Sequence, residues 1–157
     1  MFGDYFYPLI VVVCIATFIG MLFGNGLSMD RLYPATVRMV VVFATFLCSY
    51  YLISFAVAKF SPSLLGFAPK RLETDKLICY SMVVVMLIDM CLGLFPNFRI
   101  IAWIVQFYTV KIVWEGVDVV LRIPEDKRLA YTMIVSAMIL LVPVLLGRTM
   151  STISVNI

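Results

Sequence analysis

The sequence predicts an all-α polytopic membrane protein, a bundle of five transmembrane helices in one domain over residues 1–157. Three observations predict it. First, the composition is 64% apolar and 13% charged, with a mean hydropathy of +1.09, against about 45–50% and about 25% in ordinary globular domains. A soluble domain of this size buries only about two thirds of its surface, so the apolar excess needs lipid around it. Second, the apolar residues gather into five runs close to the roughly 20 residues that a helix needs to cross a hydrocarbon core of about 30 Å. Third, short stretches of Gly, Pro, Asn and Ser separate the runs. Backbone groups in lipid must bond internally, so each run is expected to be helical. A soluble enzyme, a nucleic-acid binder and a disordered chain are disfavoured together.

The first run covers residues 7–23 (YPLIVVVCIATFIGMLF). No Lys or Arg precedes it and no small-residue cleavage site follows, so it reads as a span and not as a signal peptide. Gly24-Asn25-Gly26 ends it with residues that tolerate left-handed backbone. Ala16, Gly20 and Gly24 form a row of small residues that lets helices approach closely, within one chain or between two. The second run covers 39–58, with Pro34 placed in the loop before it and Ser61-Pro62-Ser63 and Ala68-Pro69 in the loop after it. The third covers 77–95. Pro96-Asn97 then makes a tight hairpin, so the third and fourth helices are expected to pack antiparallel. The fourth covers 100–121 and the fifth 129–146, separated by Ile123-Pro124-Glu125-Asp126 with Pro124 at the first helical position. Pro8 near the start of the first run is cheap, and Pro143 is expected to kink the fifth.

Five spans put the two termini on opposite sides. The N-terminal side collects Lys59, Lys70, Arg71, Lys76, Arg122, Lys127 and Arg128; the other side has Arg31, Arg38, Arg99 and Arg148. The excess of positive charge marks the cytoplasmic face. The N-terminus is therefore expected inside and the C-terminus outside, in an inner or cytoplasmic membrane.

The fourth run tests this count, because it carries Lys111, Glu115 and Asp118. Three charges at mid-membrane cost about 8–10 kcal/mol, whereas the apolar residues of the run return about 4–7. Tyr108, Lys111, Glu115, Asp118 and Arg122 recur at steps of three and four, which places them on one face. Within that stripe Lys111 reaches Glu115 and Asp118 reaches Arg122. Asp89 of the third helix falls at about the depth of Gln106, and the long stem of Lys111 extends toward it. Intramembrane charges normally face the bundle interior or a wet cavity. Two readings stand: the charges pin helix packing and register, or they line a crevice where a carboxylate binds a proton, a cation or a polar head group. The candidate polar cluster is thus Asp89, Gln106, Tyr108, Lys111, Glu115 and Asp118. A rival topology lays this helix on the surface and leaves four spans, but it reverses the positive-charge bias.

Other features read structurally. The chain has no His, and Cys14, Cys48, Cys79 and Cys91 lie in apolar runs with no C-x-x-C pair, so buried thiols are expected and neither a metal nor another cofactor. Tyr5, Tyr7, Trp103 and Tyr131 fall where interfacial aromatic belts form. A net charge of +3 is too small and scattered for a nucleic-acid surface. The expected partners are the lipid bilayer and a second copy or other membrane proteins.

The stretch Phe107 to Thr132 (FYTVKIVWEGVDVVLRIPEDKRLAYT) resembles the Yip family, whose eukaryotic members are Ypt/Rab-interacting membrane proteins. The shared elements are an aromatic helix, Gly116, a short apolar run, Pro124 followed by charged residues, and Tyr131-Thr132 opening the last helix. The layout is similar to that of a prokaryotic member. The resemblance implies an integral membrane protein without catalysis, of the membrane-organising or trafficking type. Members usually carry a cytoplasmic segment before the first span; only about six residues precede it here, so neither the partner binding of that segment nor the GTPase link is carried over. The alternative, which rests on the charged stripe, is a small channel or a proton- or ion-linked transporter.

Overall fold

A computed structural model describes residues 2–23, 32–66, 70–94 and 99–155. Among them there is no strand, and the chain forms five helical rods. α1 spans Phe2–Phe23, α2 Leu32–Leu65 and α3 Arg71–Leu94. The fourth rod is built from α4 (Arg99–Gln106), α5 (Tyr108–Gly116) and a π-helical turn (Val117–Leu121), and α6 spans Glu125–Val155. Among the described residues, three helices are long and apolar enough to cross a membrane: Leu32–Ser63, Arg71–Leu94 and Glu125–Thr152; the apolar part of α1, Phe6–Leu22, is shorter. At 1.5 Å per residue, the 24 residues of α3 reach about 36 Å, enough for the hydrocarbon core, and Phe6–Leu22 reaches about 25 Å. The chain is an all-α integral membrane protein.

The helices overrun the sequence-predicted boundaries for a simple reason: apolar runs mark what lies in lipid, and a helix continues past it while its residues are compatible. α3 starts at Arg71 with a charged turn, Lys70 and Glu73 meeting at 3.8 Å. Pro34 lies in the first turn of α2 rather than in a loop, where its missing N–H costs nothing. Ser61-Pro62-Ser63 is also helical, because the fixed φ of Pro is helical and only one backbone bond is lost near the end. α2 stops at Leu65, three residues after Pro62. Gly66 takes φ 75° and its N–H bonds to the Pro62 carbonyl at 3.0 Å, the left-handed stop that glycine permits. Ala68-Pro69, Gly24-Asn25-Gly26 and Pro96-Asn97 lie outside the described residues.

Successive rods run in alternating directions. Phe6 of α1 stacks on Tyr50 of α2 at 4.9 Å. The Cys14 thiol points to the Met39 carbonyl at 3.6 Å. Gly20 near the end of α1 meets Gly93 near the end of α3 so closely that a Cβ on Gly20 would overlap the Gly93 carbonyl. The small-residue row thus serves packing inside the chain, at Gly20 against α3. Ser54 of α2 donates to Asp75 of α3, and Arg38 of α2 reaches Ser151 of α6 at 3.2 Å. The end of α2 and the beginnings of α3 and α6 therefore share one end of the bundle, and the start of α2 and the end of α6 share the other.

The core runs through Ile10, Val13, Phe46, Ile53, Ile78, Met82, Met86, Val113, Val117, Val135 and Ile139. Buried hydroxyls are interleaved with it, including Ser49, Ser81, Thr109, Thr132 and Ser136. Small polar side chains of this kind let helices pack closely in lipid. Cys14 is buried but Cys48 and Cys91 are exposed, and all four thiols are free; an apolar run turns thiols toward lipid as readily as toward the core.

Candidate functional site

Asp89 projects from the last two turns of α3, and Gln106 ends α4. Both line an open crevice of about 560 Å³ bounded by α2, α3 and α6. α2 contributes Arg38, Val41, Thr45 and Phe46, and α6 contributes Pro143, Val144, Gly147, Arg148 and Ser151. Two sequence features open it. Gly147 has no side chain and faces Thr45, and Pro143 fills little space in a helix it enters without an N–H. The polar groups gather where α2 begins and α6 ends, and apolar walls run deeper. Arg38 Nη1 donates to Ser151 Oγ at 3.2 Å. Asp89 and Arg148 each meet no described side chain at ion-pair distance. Asp89 and Gln106 both line this crevice.

The remaining members of the predicted cluster are elsewhere. Lys111 and Glu115 pair with each other at 3.7 Å, with side chains 62% and 64% exposed. Tyr108 is also exposed, and its ring lies under the Lys111 ammonium at 5.7 Å. These charges face away from the bundle, not into it, and Lys111 does not join Asp89 in the crevice. The inward face of this rod is instead Thr109, Val113, Val117 and Leu121, a row at steps of four that is apolar but for one hydroxyl. Hydrophobic burial chose the face, and the charges were left opposite to it.

Asp118 makes a second departure. It pairs with Arg128 at 3.0 Å and not with Arg122. The i,i+4 rule holds within a regular α-helix, but Val117–Leu121 is a π-turn with wider i,i+5 spacing. Arg122 then takes a left-handed conformation, φ 49° and ψ 47°, which ends the rod. Arg128, one turn into α6, fills the place. Its side chain is only 15% exposed; its guanidinium stacks on the Trp114 ring at 4.4 Å and donates to the Trp114 carbonyl at 3.3 Å. A planar fork suits this combination of ring, carbonyl and carboxylate.

The motif residues from the sequence surround that join. A Cβ on Gly116 would press on a Leu77 methyl, so the glycine lets the fourth rod lie close to α3. The Pro124 carbonyl accepts the N–H groups of Lys127 and Arg128 at 3.1 Å, so Pro124 caps α6 from one residue before its start. Tyr131 and Thr132 are both buried. Tyr131 is therefore a core residue and not part of an interfacial belt; its hydroxyl has no hydrogen-bond partner among the described residues. Tyr7 is exposed, and the side chains of Tyr5 and Trp103 lie outside the described residues.

Sequence reasoning missed Arg38, Arg148 and Arg128 as site residues. Arg38 and Arg148 flank apolar runs, where an arginine ordinarily reads as an interfacial charge, so spacing alone did not bring them together. Among the described residues, no group of three His, Cys, Asp or Glu is placed to hold a metal. The family model described as Yip1 domain matches residues 3–146. No curated protein and no solved structure matches the chain.

Proposed function

The chain belongs to the Yip1 domain family, and from that premise we propose that it acts without catalysis, as a membrane-organising protein of the trafficking type working through helix, lipid and protein contacts. The observation that carries this reading is the family match over residues 3–146. The disposition of charge supports it. Asp118 and Arg128 tie two rods together, and Lys111 and Glu115 pair on the outer face; neither pair borders the crevice of Asp89. The transporter alternative needs the stripe to line a water path, and its charges lie on the opposite face from the core.

The same reading covers orientation and partners. The N-terminus lies in the cytoplasm and the C-terminus outside, in an inner or cytoplasmic membrane, because seven Lys and Arg flank one end and four the other. The fourth rod crosses the bilayer, and its outward Lys111–Glu115 pair is covered by a second copy or another membrane protein. Purified protein in proteoliposomes tests the central point. The expected result is no flux of protons, ions or small solutes above empty vesicles. Flux that disappears in Asp89→Asn would overturn it.

A further inference from the structure

The crevice between α2, α3 and α6 sets exposed charges over an apolar wall. Its outer end carries two guanidinium groups, Arg38 and Arg148, and one carboxylate, Asp89. Arg38 touches a neutral hydroxyl, Ser151, and neither Arg148 nor Asp89 meets a described side chain at ion-pair distance. Charges used for packing in lipid are ordinarily paired directly, as Asp118 and Arg128 are in this chain. Arg38 acts on Asp89 electrostatically without closing an ion pair, and three charges of both signs bordering one cavity match a ligand that carries both signs.

The inner end has the opposite chemistry. Val41, Phe46, Val85 and Val144 line it, and Arg38 to Phe46 on α2 covers about 12 Å along the helix axis. The crevice is open and not enclosed, and its volume of about 560 Å³ lies in the range of small-ligand sites. A ligand that fits is charged at one end and apolar at the other.

We propose that this crevice is a binding site for an aminophospholipid of the surrounding membrane, with the phosphate held by Arg38 and Arg148, the headgroup ammonium by Asp89, and an acyl chain along the apolar wall. Guanidinium groups match phosphate oxygens, and a carboxylate beside them selects a headgroup with an amine that donates hydrogen bonds. Gln106 supplies an amide at the same level. This inference names the lipid contact of the membrane-organising role and rests on that reading. Its test is separate, because lipid retention reports the site and the flux assay reports the role.

The full chain, purified in detergent, is mixed with phosphatidylethanolamine, phosphatidylglycerol or phosphatidylcholine, and bound lipid is counted by native mass spectrometry. The wild type should retain phosphatidylethanolamine at least fivefold better than phosphatidylcholine, whose quaternary headgroup has no N–H. Asp89→Asn should remove that preference while phosphatidylglycerol is still held, and Asp89→Glu should keep it. The double variant R38Q/R148Q should lose all three lipids at least tenfold, and R38K/R148K should keep most of them, which separates loss of charge from loss of fold. Unchanged retention in R38Q/R148Q, or an unchanged headgroup preference in Asp89→Asn, would overturn the assignment.

Discussion

Arg128 shows how much one side chain can contribute where two rods meet. It stacks on Trp114, donates to the Trp114 carbonyl and pairs with Asp118, and it is mostly buried. A half-buried cation–π contact contributes about 1–2 kcal/mol and a partly exposed ion pair less than about 1. Arg128→Leu should therefore destabilise the fold by about 2 kcal/mol, with Asp118→Asn costing about a quarter of that; Trp fluorescence during unfolding in mixed micelles reads both. Two glycines give a sharper contrast. Gly20→Ala improves helix propensity by about 1 kcal/mol, yet its Cβ would collide with backbone at Gly93, which cannot move without separating α1 from α3. The net effect should be a loss of about 3 kcal/mol. Gly116→Ala meets only the tip of Leu77, which can rotate, so the same unfolding measurement should show a change below about 1 kcal/mol.

At the scale of elements, the fourth rod is the irregular one. Phe107 bonds back to Ile104 and Val110 back to Phe107, i,i+3 bonds that tighten the helix, and a π-turn widens it ten residues later. The rod ends on Arg122 with positive φ, a conformation that costs a non-glycine residue about 1 kcal/mol. Arg122→Gly should recover about that amount, seen as a raised unfolding midpoint, and a fall would show that the arginine side chain holds the turn. This element also marks where the sequence stops being legible. The apolar runs placed all five rods, because burial and lipid exposure both demand apolar residues. The stripe of charges was visible too, since spacing alone put it on one face. Which way that face points was not visible, because Val113 and Val117 compete with Lys111 for the interior and only the packing decides. The Asp118 partner was hidden by the π-turn, which has no residue signature. The crevice was half legible: similar depth put Asp89 and Gln106 in one candidate cluster, and both line the crevice, but Arg38 and Arg148 join them only once α2 and α6 lie side by side.

On the scale of the whole molecule, the outward Lys111–Glu115 pair sets a condition that the isolated chain does not meet. Lys111 lies near the middle of a rod running from Arg99 to Leu121, so both charges fall deep in the bilayer if that rod crosses it. A charge facing lipid at that depth costs about 2.5–3.5 kcal/mol on the insertion scale, and pairing at 3.7 Å offsets only part of it. The proposed second copy or membrane partner would resolve the conflict, with the exposed Tyr108 and Trp114 as contact residues of such an interface. K111L/E115L tests this, because among the described residues the charged groups of the pair engage each other and the Tyr108 ring. The wild type should run as a complex in mild detergent, and the double variant as a single chain with unchanged helicity and unfolding midpoint. Tags at the two termini complete the experiment: they should be accessible from opposite sides of the membrane in both proteins, because removing the charges changes what covers the rod and not whether it crosses. Tags on the same side would return the rod to the membrane surface, where its charges meet water and need no partner.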